Sequence, residues 1–277
     1  MRLHIEHQTT FSYDDAVREA IGEARLRPRD DAGQQLLRFR LTLDPPTPFD
    51  TIVDRFGNTV QCYSVLPPHR RLVVTATSLV DISASALIAT PQLTLLEQYG
   101  FTSVSPYVPF TDDLRAFARQ YATGDAESTA LALMHAIYAS CAYEAGSTDI
   151  STTAEAVLAG RRGVCQDFAH LLIALSRCLG LPARYISGYC HDPAQPPDAI
   201  LASHAWAEVF LAGRGWLGLD PTHNCTTGSD YVRVAIGRDY ADAAPMRGIY
   251  QGSAREQLDV RVRMRAADEA HKISVTS

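Results

Sequence analysis

Alternation with a period of two marks the first part of the chain. Leu37, Phe39, Leu41 and Leu43 alternate with Leu36, Arg38, Arg40 and Thr42, the spacing of a half-buried strand. The segment TVQCYSV follows the turn signal Gly57-Asn58, and RRLVVTATSLVDI is rich in β-branched residues. Each predicts a further strand. Short strands separated by Pro and Gly clusters predict a small all-β domain over residues 1–85. The pattern then breaks. SASALIATPQLTLLEQYGFTSVSPYVPF is mixed and ends in a Pro-punctuated loop, so residues 86–110 read as a linker.

Helical spacing takes over next. Thr111-Asp112-Asp113 has the character of a helix N-cap, and Leu114, Phe117, Ala118 and Tyr121 follow on one stripe. Leu133, Met134, Ile137, Tyr138 and Cys141 form a second stripe, and Thr153 to Leu158 a short third helix. The stretch GVCQDFAHLLIALSRCLGLPARY, Gly163 to Tyr185, predicts one buried helix stopped at Gly180 and Pro182. Strands return after it: ARYISGYC, SHAWAEVFL, WLGLD, DYVRVAI and LDVRVRM. Helices followed by an antiparallel sheet predict an α+β core over residues 111–277.

Composition removes several function classes. The 277 residues carry a net charge of −6, without the basic excess of a nucleic-acid binder. The start, MRLHIEHQTTFSYDD, has no apolar h-region, and no run reaches the length of a membrane span. The six cysteines are scattered, without a CxxC pair. Reduced thiols, a cytoplasmic location and no membrane partner are therefore expected. His223 with Cys225, and Cys190 with His191, lack zinc-finger spacing. No EF-hand loop or phosphate-cradling Gly-rich loop occurs. Neither a metal nor a cofactor is expected.

Cys165 allows two readings. It shares a helix face with Phe168, Leu172, Leu175 and Leu179, and a free cysteine on such a stripe is most often a small buried hydrophobe. It also opens the helix, where the dipole favours a thiolate and unpaired N–H groups face a forming oxyanion. Gly163 before it would allow a substrate close to the backbone. A nucleophilic thiol needs a base and a group that orients it. His170, five residues on, points away around the helix and reads as structural or surface. His204 opens the strand SHAWAEVFL, and Asp220 ends WLGLD. Both are even-numbered, so adjacent strands would put them on one face. Pairing them directly would need a bulge or a longer loop than Gly213-Arg214 offers. Asp167 reads as a first-turn partner of the helix dipole.

GVCQDFAHL, SHAWAEVFL and GWLGLDPTHN, in this order and spacing, resemble the transglutaminase-like core domain of bacterial proteins. RLRPRDD and DRFGN resemble the β domain that often precedes that core, and GRDYADAAPMRGIYQG is similar to the family's closing stretch. The resemblance implies a papain-like core and a triad of Cys165 as nucleophile, His204 as base and acid, and Asp220 as orienting carboxylate. Animal members carry a Trp beside the nucleophile and another upstream. This chain has Gln166 beside Cys165, and its tryptophans, Trp206 and Trp216, lie downstream. The second oxyanion donor is therefore open, with Tyr143 and Gln166 as candidates and Trp206 as a shield for His204. The expected activity is thiol-dependent acyl transfer on a protein or peptide substrate, mainly hydrolytic, as a cysteine peptidase or amidase. Alternatives are a protein-glutamine gamma-glutamyltransferase, an arylamine acetyltransferase using acetyl-CoA, and a non-catalytic module that keeps the fold.

Overall fold

The computed structural model describes residues 1–31, 33–83, 87–89, 92–196 and 199–267. Five strands open the chain: β1 (Arg2–Ala24), β2 (Gln34–Asp44), β3 (Phe49–Val53), β4 (Thr59–Val65) and β5 (His69–Ile82). They hydrogen-bond in the order β2-β5-β1-β4-β3. β1 is long enough to serve two sets of neighbours. Its first half, through Ser12, pairs with β5, and residues Ala20 to Ala24 pair with β4, with a register irregularity between.

The segment read as a linker supplies structure of its own. β6 (Leu87–Ile88) adds to the edge of the second sheet, and α1 (Leu95–Thr102) is capped by Thr94 and Glu97. Then come α2 (Asp112–Arg119), α3 (Ala126–Ser140), β7 (Ala142–Tyr143), α4 (Ala154–Gly160), β8 (Arg162–Gly163) and α5 (Cys165–Cys178). Thr111, Asp125 and Thr153 cap α2, α3 and α4 through their side-chain oxygens. α5 ends as its sequence demands. Gly180 takes φ of +79°, and Gly180 N and Leu181 N return to the carbonyls of Arg177 and Ser176, a Schellman closure before Pro182.

The second sheet contains β9 (Ala183–Cys190), β10 (His204–Leu211), β11 (Gly215–Asp220), β12 (Cys225–Thr226) and β13 (Tyr231–Gly237). Its order is β12-β11-β10-β9-β13. α5 lies across it, buried from Asp167 to Arg177. Phe168, Leu172 and Leu175 pack with Ala207, Val209 and Leu219 of the sheet and with Leu133 and Ile137 of α3. This is an α+β protein, helices packed on an antiparallel sheet, with an N-terminal β region.

The chain closes by turning back. After α6 (Tyr240–Ala243), β14 (Met246–Gln251) and β15 (Glu256–Ala266) both pair with β1. The last strands, which the sequence pattern groups with the core, thus complete the first sheet. The two sheets meet through Leu3, Ile5, Val80 and Met264 against Tyr189, Val232 and Val234. Strand β13 is an edge, and two carboxamides satisfy it. Gln34 accepts from Arg233 N at 2.8 Å and donates to Arg233 O at 2.9 Å. Asn58 accepts from Ile236 N at 2.8 Å and donates to Ile236 O at 2.7 Å. Each side chain reproduces the bonding of one residue of a neighbouring strand. The turn residue Asn58 thereby ties the first sheet to the strand beside the site.

Candidate active site

Cys165 stands at the first position of α5, with Val164 as its N-cap. The local sequence builds this start. Asp167 turns back so that one carboxylate oxygen accepts from Val164 N at 2.8 Å and from the Thr148 hydroxyl at 2.6 Å. Gly163 is needed for that turn, since a Cβ there would lie 2.7 Å from the Cβ of Asp167. The close approach at Gly163 is therefore to Asp167. Parallel pairing of β7 with β8 puts Tyr143 level with Gly163.

His204 and Asp220 come from neighbouring strands, and the bulge anticipated for their pairing does not occur. Leu211 stands opposite Gly215 and Ala207 opposite Leu219, so the loop is Ala212-Gly213-Arg214. Continuing that register puts Asp220 level with Trp206 and makes His204 its diagonal neighbour on one face, within reach of an imidazole. His204 Nε2 lies 2.7 Å from Asp220 Oδ2. The Cys165 thiol also acts on the ring through a hydrogen bond and its charge, and both residues line one cavity.

Asp220 is fully buried and densely bonded. Oδ2 also accepts from the Tyr231 hydroxyl and faces His223 Nδ1, both at 2.7 Å. Oδ1 accepts from Thr222 N at 2.8 Å and His223 N at 3.3 Å. Burial alone would raise this carboxyl, but the bonds from His204 and His223 hold it well below the carboxylate range. Burial likewise opposes charge on His204. The bond to Asp220 and the contact with Cys165 outweigh it and push the ring up to about 10. His223 is raised by Asp220 first and by Cys190 next. Its role here could not be read from sequence, where it suggested only a metal ligand, and Tyr231 carried no signal at all. His204, Asp220 and His223 are the ligand-type side chains that approach closely enough to share an ion among the described residues. Their hydrogen bonds to one carboxylate oxygen already account for the cluster.

The remaining expected residues fall into place differently. Trp206 is fully buried beneath His204, with ring centroids 6.0 Å apart, and meets Tyr231 edge-on at 5.2 Å. Gln166 lines a cavity of about 180 Å³ together with Cys165 and His204. Tyr143 is 59% exposed and does not line it, although its hydroxyl feels Cys165 electrostatically. His170 is structural. It is fully buried, stacks on Tyr107 and accepts from Tyr240 N at 3.0 Å. Burial drives its pKa to about 3 and keeps it a neutral acceptor. The cavity has a second wall that local patterns could not reveal: His7 and Thr9 of β1, Met246 of β14, and Leu258 and Val260 of β15. His7 is fixed by Tyr189 at 2.9 Å and Thr9 at 3.0 Å.

A thiol at a helix start, set against a sheet that offers an imidazole backed by a carboxylate, is the layout of papain-like cysteine enzymes. The comparisons narrow that class. Residues 115–221 match the transglutaminase-like superfamily, and residues 3–81 the bacterial transglutaminase-like N-terminal region. Protein Rv2569c of Mycobacterium tuberculosis, described as uncharacterized, is 36% identical over 303 residues, covering 94% of this chain and 91% of that protein. A crystal structure of a candidate cysteine protease from Cytophaga hutchinsonii superposes with a TM-score of 0.80 at 26% identity, covering 97% of this chain and 91% of the other. A protein-glutamine gamma-glutamyltransferase of Pseudomonas aeruginosa is 34% identical over 68 residues, 23% of this chain and 10% of that enzyme. The chain belongs to the bacterial transglutaminase-like family, a family of cysteine-dependent enzymes. No helix among the described residues is long and apolar enough to cross a membrane.

Proposed function

We propose that the protein is a cysteine hydrolase that cleaves a peptide or carboxamide bond through a thioester on Cys165. The observation that carries this reading is the double partnership of His204, bonded to Asp220 at 2.7 Å and interacting with the Cys165 thiol in the same cavity. The Cys165 thiolate adds to the substrate carbonyl carbon. The oxyanion is received by the N–H groups at the start of α5, with Gln166 as the cavity-lining side chain next to it. As the tetrahedral adduct collapses, the C–N bond breaks and His204 gives its proton to the leaving nitrogen. Water then attacks the thioester while His204 accepts its proton. The carboxylic acid leaves and the thiol returns. Asp220 holds the ring in the required tautomer and stabilises its charge.

Transfer to an amine shares the first half of this sequence, and the local match to the Pseudomonas aeruginosa transferase supports that alternative. The described cavity wall offers no carboxylate to hold an incoming ammonium, since its polar members besides the site residues are His7, Thr9, Tyr185, Ser187, Ser203 and Tyr240. Hydrolysis is therefore the expected fate. The test is an acyl donor that forms an adduct on Cys165 by intact mass spectrometry, with and without millimolar primary amine. Free acid as the main product supports the hydrolase. A dominant amine adduct would make the protein a transglutaminase, and no adduct on Cys165 would leave a non-catalytic module.

A further inference from the structure

A second imidazole leans on the carboxylate that serves His204. His223 Nδ1 and His204 Nε2 each lie 2.7 Å from the same atom, Asp220 Oδ2, and the ring centroids are 5.0 Å apart. The loop that places His223 is short and held at both ends. Asp220 stands opposite Cys225 in the β11–β12 register, so residues 221–224 turn back over the carboxylate. Thr222 N and His223 N bond to Oδ1. Asn224 closes the turn at φ of +55°, its side chain bonded to His135 of α3. Asp220 is thereby clamped through Oδ1, which leaves Oδ2 to the two rings and the Tyr231 hydroxyl.

The two rings differ in surroundings. The His204 side chain is 11% exposed and that of His223 52%, so His223 exchanges protons directly with solvent. An ionised carboxylate only accepts, so Nδ1 of His223 carries a hydrogen in both charge states and Nε2 gains or loses the second proton. Among the described residues, Asp220, His204, the Tyr231 hydroxyl 3.4 Å from Nδ1 and the Cys190 thiol face His223. The Cys225 thiol lies behind that hydroxyl at 3.3 Å. One carboxylate charge cannot fully offset two imidazolium rings, so each charged ring weakens the other's hold on its proton. The hydrogen bond from a neutral His223 acts in the same direction, because it stabilises the carboxylate on the oxygen that His204 uses.

We infer that His223 is a positioning residue of the triad: it shares Asp220 Oδ2 with His204 and limits how much of the carboxylate's pull His204 receives. This rests on the thiol acyl-transfer reading and adds to it a residue that tunes the base. His204 must give a proton to the leaving nitrogen and later accept one from water. A ring bound too firmly to its proton cannot do the second. A rival hold on Asp220 keeps both states within reach.

NMR titration of the ring protons in the parent, His223→Asn and His223→Ala proteins tests the assignment. Both variants keep the backbone bonds to Oδ1. In the parent the two rings should titrate in coupled steps. His223→Ala removes both donor and charge, so the His204 midpoint should rise. The rise should be about 0.5 to 2 units, the effect of a charge 5.0 Å away between water and an effective dielectric of about 20. His223→Asn keeps a neutral donor near the place of Nδ1 and should give a smaller rise. A residue that only packed would give the opposite sign, because a loosened Asp220 would leave burial to lower the His204 ring. An unchanged or lowered midpoint in either variant overturns the assignment. Iodoacetamide on the parent protein separates this from the reading it rests on. A Cys165 that stays inert, beside a His204 midpoint that rises in both variants, would sink the thiol reading and leave the sharing of Asp220 standing.

Discussion

Asp220→Asn removes the carboxylate's charge with the least change of shape. Replacement by Ala would strip five donors of their acceptor at a fully buried position, namely His204, His223, Tyr231 and the N–H groups of Thr222 and His223. That would mix a folding defect with a chemical one. Asn keeps the shape and one acceptor oxygen for the N–H groups of Thr222 and His223. It removes the charge and sets an NH2 donor where Oδ2 accepted from His204, His223 and Tyr231. The His204 ring rises from 6.5 to about 10 in the intact site, against a burial effect that would lower it. This rise corresponds to about 5 kcal/mol of preference for the charged ring. With the charge gone, burial is opposed only by the Cys165 contact, and the ring should titrate well below its parent value. Less of it would then be charged and able to protonate a leaving nitrogen. Acyl transfer should fall by about 10³- to 10⁴-fold, the scale seen when a triad carboxylate becomes an amide. Titration of the His204 ring proton by NMR reads the shift directly, and single-turnover acylation of Cys165 reads the rate. A midpoint that stays within one unit of the parent value would show that Asp220 is not what charges the ring. Full activity in Asp220→Asn would remove it from the mechanism.

Limiting iodoacetamide at neutral pH should modify Cys165 before the other thiols. Faster labelling of Cys62 or Cys225, resolved by peptide mapping, would count against the nucleophile assignment. Asn58→Ala should cost about 1–3 kcal/mol in urea denaturation, because Ile236 N and O on the edge of β13 lose their partner; a loss under about 0.5 kcal/mol would mean water replaces the carboxamide freely. Gly188→Ala should destabilise by about 3 kcal/mol or more and disturb the ring under His204, since a Cβ there would sit 2.1 Å from Val232 O and 2.7 Å from Trp206; unchanged stability would refute the close packing. Stability should fall at both ends of the pH range. His204, raised above its unfolded value, contributes fully below 6.5 and loses that contribution as pH climbs through about 10. Asp220, held low, contributes above the unfolded carboxylate range and loses it as pH falls through the acid range. Urea midpoints at pH 7 and 10 should converge in Asp220→Asn, and an undiminished alkaline loss there would contradict the linkage.

The helix at Cys165 was legible because everything that makes it is local. Its apolar stripe, the Gly163 and Asp167 start and the Gly180-Pro182 stop lie within one short stretch. Strands β2, β4, β5, β9, β10, β11, β13 and β15 were legible for the same reason, as was the even parity that places His204 and Asp220 on one face; β1, β3 and β14 were not. The diagonal register of that pair was not, because the sequence does not state which of two loop lengths the β10–β11 turn will use. Position along the chain misled in two places. Residues 86–110 have no clear period, yet Ile88 and Leu87 find a partner on the open edge of β11. The closing strands alternate like any others, and only the sheet edge left free on β1 decides that they join the first sheet. His223, Tyr231 and His7 show the limit most clearly. Each is an ordinary residue on its own segment, and it gains a role only when packing brings it to Asp220 or to the cavity. Chain-local periodicity and capping fixed the elements and the nucleophile's setting. The charge on His204 and the walls around the thiol arise from contacts between segments distant in sequence, which only tertiary packing creates.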